Sequence, residues 1–148
     1  MLVSRKGRYS VRAIVTLALL QKKNDGKPVK LSDVAAHEKL PSSYIEQLFN
    51  KLKKGGIVSS IKGPGGGYTL ASDSSNISIF DILNCVGDLG AFTDCDGTSK
   101  KNYECTSCSS RYIWDSLDKK VKEHLSSIKI EEILKKHLSG DDYEANIS

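Results

Sequence analysis

No run of apolar residues in this chain is long enough to cross a bilayer: the stretch from Ala13 to Leu20 is short and interrupted by Thr16. The cleavage site of a secretory leader is also missing. Arg5, Lys6, Arg8 and Arg12 imitate the basic start of a leader, but no small-residue site precedes the polar Gln21-Lys22-Lys23-Asn24. These absences predict a cytoplasmic protein with no membrane partner, whose thiols stay reduced. No Ser/His/Asp, Cys/His or paired-carboxylate arrangement stands at motif spacing, so no enzyme is expected. The glycine run Gly63-Pro64-Gly65-Gly66-Gly67 lacks the Gly-Lys-Ser/Thr and following helix of a phosphate loop, and leads instead into Tyr68-Thr69.

Charge is present, and it is divided. The chain of 148 residues carries a net +4. Residues 1–70 hold 13 Lys/Arg against 4 Asp/Glu, whereas residues 71–148 hold 9 against 14. The first part suits a polyanion and the second does not. A chain of this length accommodates one ordinary core, or a small DNA-binding domain with an oligomerisation arm.

The stretch from Pro41 to Leu70 gives that charge a shape. Pro41 stands where a helix can begin, followed by the small hydroxyl residues Ser42 and Ser43. Ile45, Leu48, Phe49 and Leu52 recur at helical spacing, which turns Ser43, Tyr44, Glu46, Gln47 and Lys51 outward. Gly55-Gly56 ends the helix. Ile57–Lys62 and Tyr68–Leu70 then read as two short strands around the glycine run, a hairpin whose tip can approach a phosphate backbone, with Lys62 placed to reach a phosphate or the minor groove. Upstream, Ser32 is positioned to cap a short helix carrying Val34 and Ala35 inward, and Leu40-Pro41 turns into the next helix. The order is that of a helix-turn-helix followed by a wing.

Three of the four cysteines fall in one polar segment, AFTDCDGTSKKNYECTSCSS, which has little apolar content with which to build a core of its own. Cys95, Cys105 and Cys108 in a reducing compartment suit an iron-sulfur cluster or zinc, or a redox-sensing thiol set. Cys85 sits instead in the amphipathic stretch Ile77–Val86 and reads as a small buried residue. His37, His124 and His137 lie among helical charges and read as solvated.

Three features together, KGRYSVRAIVTLAL near the start, SSYIEQLFNKLKKGGIVSSIKGPGGGYTL and the cysteine cluster, resemble the Rrf-two family of bacterial winged-helix regulators, with IscR, NsrR and CymR among its branches. The resemblance runs from about Leu2 to Leu138. It implies that Cys95, Cys105 and Cys108 match the three cysteines that hold a [2Fe-2S] cluster in the IscR-like branch. Two departures accompany it: Cys105 has moved next to Cys108, and Arg111 stands where IscR has a histidine. A guanidinium has no lone pair to give, so the fourth ligand is open, with Asp94, Asp96 and Glu104 as local alternatives. Lys62 takes the place of a wing arginine.

From Arg111 the chain reads as a long helix with Ile113, Trp114, Leu117, Val121, Leu125 and Ile128 on one face. So apolar a face on an arm predicts a two-fold homodimer. The expected organisation is a mainly α fold with a small β-hairpin: a winged helix-turn-helix domain over 1–72, a connecting helix over 73–90, a cysteine-containing loop over 91–110, and a dimerisation helix and tail over 111–148. The expected function is dimeric regulation of transcription at a near-palindromic site on double-stranded DNA, under control of a cluster supplied by iron-sulfur assembly proteins. The candidate DNA contacts are Ser42, Ser43, Tyr44, Glu46, Gln47, Lys51, Lys62, Gly65 and Gly66. A nitric-oxide or thiol-redox sensor without such a cluster, and a CymR-like regulator controlled by a protein partner, are the alternatives.

Overall fold

The computed structural model describes residues 3–90 and 108–140. Cys95 and Cys105, with Asp94, Asp96 and Glu104, lie outside the described residues. Within them the chain forms α1 (Arg5–Lys23), α2 (Leu31–Glu38), α3 (Ser42–Lys54), β1 (Val58–Ile61), β2 (Gly67–Leu70), α4 (Ile79–Cys85), α5 (Arg111–Ser127) and α6 (Ile130–Leu138).

Helix α1 starts at Ser4, whose hydroxyl accepts from the Gly7 N–H at 3.2 Å. Ala13, Ile14, Leu17 and Ala18 then fall on one stripe, and all four are buried. The expected cap of α2 needs correction. Lys30, in extended conformation and without a side-chain cap bond, precedes the helix, and Ser32 lies inside its first turn. The cause is upstream: Val29 is buried and pairs with Tyr68, donating to its carbonyl at 2.9 Å and accepting from its N–H at 2.8 Å. The chain therefore leaves an extended bridge at Val29 and enters the helix directly at Leu31, which packs against the core.

Lys39 adopts a left-handed conformation and closes α2, so that the turn to α3 occupies Lys39-Leu40-Pro41. Helix α3 buries Ile45, Leu48, Phe49 and Leu52 and ends at Gly55, with Gly56 at positive φ just beyond. The two strands pair antiparallel, Val58 opposite Leu70 and Ile61 opposite Gly67. Gly67 is required by the Val29 bridge, since a Cβ there would stand 2.4 Å from the Val29 carbonyl oxygen.

Helix α4 begins with a capping box, in which Ser78 and Asp81 satisfy each other's backbone N–H groups. Residues 128–140 do not trail away as a tail. The chain turns at Ile128-Lys129, bonds back to Ile77 and Ile79, and forms α6, whose Ile130 and Leu134 are buried in the core with α1. The core thus draws on Ile14 and Leu17 from α1, Ile45 and Phe49 from α3, Ile82 and Leu83 from α4, and Ile130 from α6. Helix α5 contributes no fully buried residue. Its Leu125 end rests on the core, while Tyr112 and Ile113 at the other end are 73% and 44% exposed.

Candidate nucleic-acid interface

Because the apolar stripe of α3 is buried, its other face is presented to solvent. Ser42, Ser43, Glu46, Gln47 and Lys51 are exposed, as are Lys53 and Lys54 in the last turn. Those three lysines also complement the negative end of the helix. Tyr44 differs from the expectation that it faces outward: it is half-buried, its ring meeting that of Tyr9 edge-on at 6.1 Å between centroids.

The wing is seated on the same helix. Phe49 and Tyr68 pack in a T-shaped pair at 5.3 Å, and the Leu70 N–H donates to the Gln21 side chain at 3.0 Å, tying the hairpin to α1. Lys62 and Gly65 are exposed at the tip, and Gly66 is half-buried, its N–H closing a turn onto the Gly63 carbonyl at 2.9 Å. A Cβ at Gly66 would stand 2.2 Å from the Ile61 carbonyl oxygen, so only glycine fits this turn. The arrangement offers base edges a hydroxyl, amide and carboxylate set from α3, and offers phosphates the lysines of α3 and the wing.

Of the thiols, Cys108 and Cys85 lie within the described residues. Cys108 is exposed just ahead of α5, its sulfur 3.1 Å from the Ser110 hydroxyl. That hydroxyl, then the N–H groups of Ser110 and Arg111, hold its pKa below the ordinary thiol value. Cys85 is half-buried rather than buried, and its thiol donates to the Lys51 carbonyl at 3.0 Å, which fastens α4 to the last turn of α3. Burial pushes its pKa up, against an opposing backbone bond at Gly55. Arg111 pairs with Asp115 at 3.4 Å along α5. Among the described residues no group of three or more His, Cys, Asp or Glu is placed to hold a metal ion, and no described helix is long and apolar enough to cross a membrane.

The support beneath this surface, Tyr9, Arg12, Val29 and Glu38, has no local signal in the sequence. Their partners are distant in sequence, and no local spacing announces a pair such as Arg12 and Glu38. Arg12 stood out only as one of the basic residues near the start.

A turn between two helices, an exposed polar face on the second and a lysine-tipped hairpin beside it define a winged-helix DNA-binding protein. The chain belongs to the Rrf2 family, matching over residues 3–136 the family model described as an iron-dependent transcriptional regulator. It is similar to the HTH-type transcriptional regulator IscR of Vibrio campbellii, 36% identical over 138 residues that cover 91% of this chain and 78% of the relative. Among solved structures it resembles T. potens IscR, with a TM-score of 0.69 and 30% identity over 100% of this chain and 93% of that one. It also resembles CymR, the global cysteine regulator of B. subtilis, with a TM-score of 0.71 and 29% identity over 91% of this chain and 97% of that one. The protein is a DNA-binding transcriptional regulator and not an enzyme.

Proposed function

We propose that the protein works as a homodimer that reads a near-palindromic DNA site, and that its DNA binding is governed by a [2Fe-2S] cluster held by Cys95, Cys105 and Cys108. The observation that carries this reading is the position of Cys108. It is an exposed thiol in a thiolate-favouring setting, directly ahead of a helix on which the described residues bury no side chain, leaving Ile113 exposed and Trp114, Leu117 and Val121 half-buried. The donor chemistry fits, because thiolates are the ligands that iron-sulfur clusters take. Bound there, the cluster would supply a signal sensitive to iron, sulfide and oxidant. A cytoplasmic address belongs to the same reading, since ligand thiols need a reducing compartment, and iron-sulfur assembly proteins are the corresponding cluster donors.

In this reading α5 pairs with its counterpart in a second copy, covering Ile113, Trp114, Leu117 and Val121. Two α3 helices then enter successive major grooves about one helical turn, roughly 34–36 Å, apart. Glu46 accepts from a cytosine amino group, Gln47 and Ser43 meet neighbouring base edges, and Ser42, Tyr44, Lys51, Lys62, Gly65 and Gly66 hold the backbone. Because Cys108 adjoins α5, a change at the thiols reaches the dimer helix, and through it the separation of the two reading heads.

Purification without oxygen, with absorbance and iron and sulfide analysis, tests the input. A brown protein with equal iron and sulfide is expected, and replacing Cys95, Cys105 or Cys108 by Ala should remove the colour and change DNA affinity. A colourless preparation whose DNA binding is indifferent to all three substitutions would sink the reading. The exposed, low-pKa setting of Cys108 favours one second reading, a thiol-redox sensor, which the same analysis separates by the absence of iron and sulfide.

A further inference from the structure

Glu38, the last residue of α2, is a buried carboxylate in a protein surface rich in cations, with its side chain only 6% exposed. Its Oε1 accepts from the Thr16 hydroxyl at 2.5 Å, and His37 Nδ1 lies 3.6 Å away. Its Oε2 lies 2.7 Å from Arg12 Nη2, in ionic contact without an aligned hydrogen bond. An ion pair with one member exposed to solvent adds little net stability, so what it contributes is the placement of its members. Arg12 is placed with its guanidinium over the Tyr9 ring, 5.4 Å from the centroid. Tyr9 in turn meets Tyr44, two residues ahead of Glu46 on α3. An unbroken line of contacts therefore runs from the end of α2, across α1, to the helix that faces DNA.

We propose that Arg12, anchored by Glu38, is a positioning residue for DNA recognition: through Tyr9 it seats Tyr44 and so sets how Glu46 and Gln47 are presented to the bases. Arg12 acts without touching DNA. Its side chain is 56% exposed, so truncating it opens no cavity in the core, and its loss is felt through the aromatic rings. The inference rests on the DNA-reading role of α3 given above.

The direct alternative is that Arg12 binds a phosphate, and the sign of one substitution separates the two. If Glu38 merely competes with DNA for Arg12, then Glu38→Gln frees the cation and strengthens binding. If Glu38 anchors it, the same change weakens recognition. The wild-type chain is first used to select a preferred duplex from a random pool. Affinities for that duplex and for a scrambled one of equal length are then measured across a range of salt.

Arg12→Met and Glu38→Gln should each reduce the selected-to-scrambled affinity ratio by about tenfold, the scale of one cation-π plus one aromatic contact. The salt slope should not change, the double variant should be no worse than either single one, and Tyr9→Phe, which keeps the ring, should retain the wild-type ratio. An unchanged ratio overturns the proposal. So does an equal loss on both duplexes with a slope flattened by about one, the signature of a lost phosphate contact, or tighter binding by Glu38→Gln. Should Glu38→Gln fail to fold, the Arg12→Met ratio alone decides between these outcomes. A wild-type chain that selects no duplex removes the DNA-reading role and this inference with it, whereas a normal selection with insensitive variants removes only the inference.

Discussion

Helices α3 and α5 both carry an apolar stripe at helical spacing, yet the fold treats them in opposite ways. Ile45, Leu48, Phe49 and Leu52 of α3 are buried by the same chain. On α5 no residue is buried, and Ile113 lies open. A stripe shows that a helix requires cover; whether the cover comes from the same molecule depends on what the rest of the chain has left to offer. Here α1, α2, β1 and α4 pack against α3, and nothing among the described residues closes over the Ile113 end of α5. The polar faces differ correspondingly: that of α3 is the proposed reading surface, whereas α5 carries charge pairs such as Asp118–Lys122 along its length.

The sharpest way to break this contrast is to truncate each stripe. Phe49→Ala should lower the unfolding free energy by about 3–5 kcal/mol, as for other buried aromatic deletions, measured by denaturant melts. Ile113→Asp should leave the fold of the single chain intact but weaken self-association by about tenfold to a hundredfold in sedimentation experiments, the scale of an interface hot spot. Equal loss of stability in both variants would erase the distinction.

Smaller effects sharpen what the α3 face does. Glu46→Ala should relax discrimination at one base pair by about 1–3 kcal/mol while leaving binding to scrambled DNA unchanged. Lys62→Ala should weaken all duplexes alike and reduce the salt slope by about one. Selective loss on one sequence would instead make Lys62 a reader. The thiols give the mildest test. Lowering its pKa raises the thiolate fraction of Cys108 at neutral pH, and raising it suppresses that of Cys85. Alkylation followed by peptide mapping should therefore modify Cys108 first, with Cys85 catching up only as the pH rises.

Local pattern made much of this legible. The stripe of α3, the Gly55-Gly56 stop and the glycine hairpin are short-range signals, and each matches an element of the fold. Local pattern puts the start of α2 at Ser32, because the Val29–Tyr68 bridge, which decides it, joins residues far apart in sequence. For the same reason α6 has no local signal: Ile130 and Leu134 gain their meaning only against α1 and the Ile77 backbone. Tyr44 reads as outward-facing by spacing alone, and only the neighbouring Tyr9 ring turns it inward. Two of the three cysteines proposed as ligands lie outside the described residues, so their grouping rests on the sequence and on the family.

If the cysteine segment controls what the α3 face does, a single titration shows it. Affinity for the selected duplex is measured at fixed salt, without oxygen, before and after iron is stripped by a chelator. A change of about fivefold to 150-fold, the usual span of coupling between two sites, is expected, with no such change in a Cys108→Ala variant. Equal affinity in the loaded and stripped wild-type protein would contradict it.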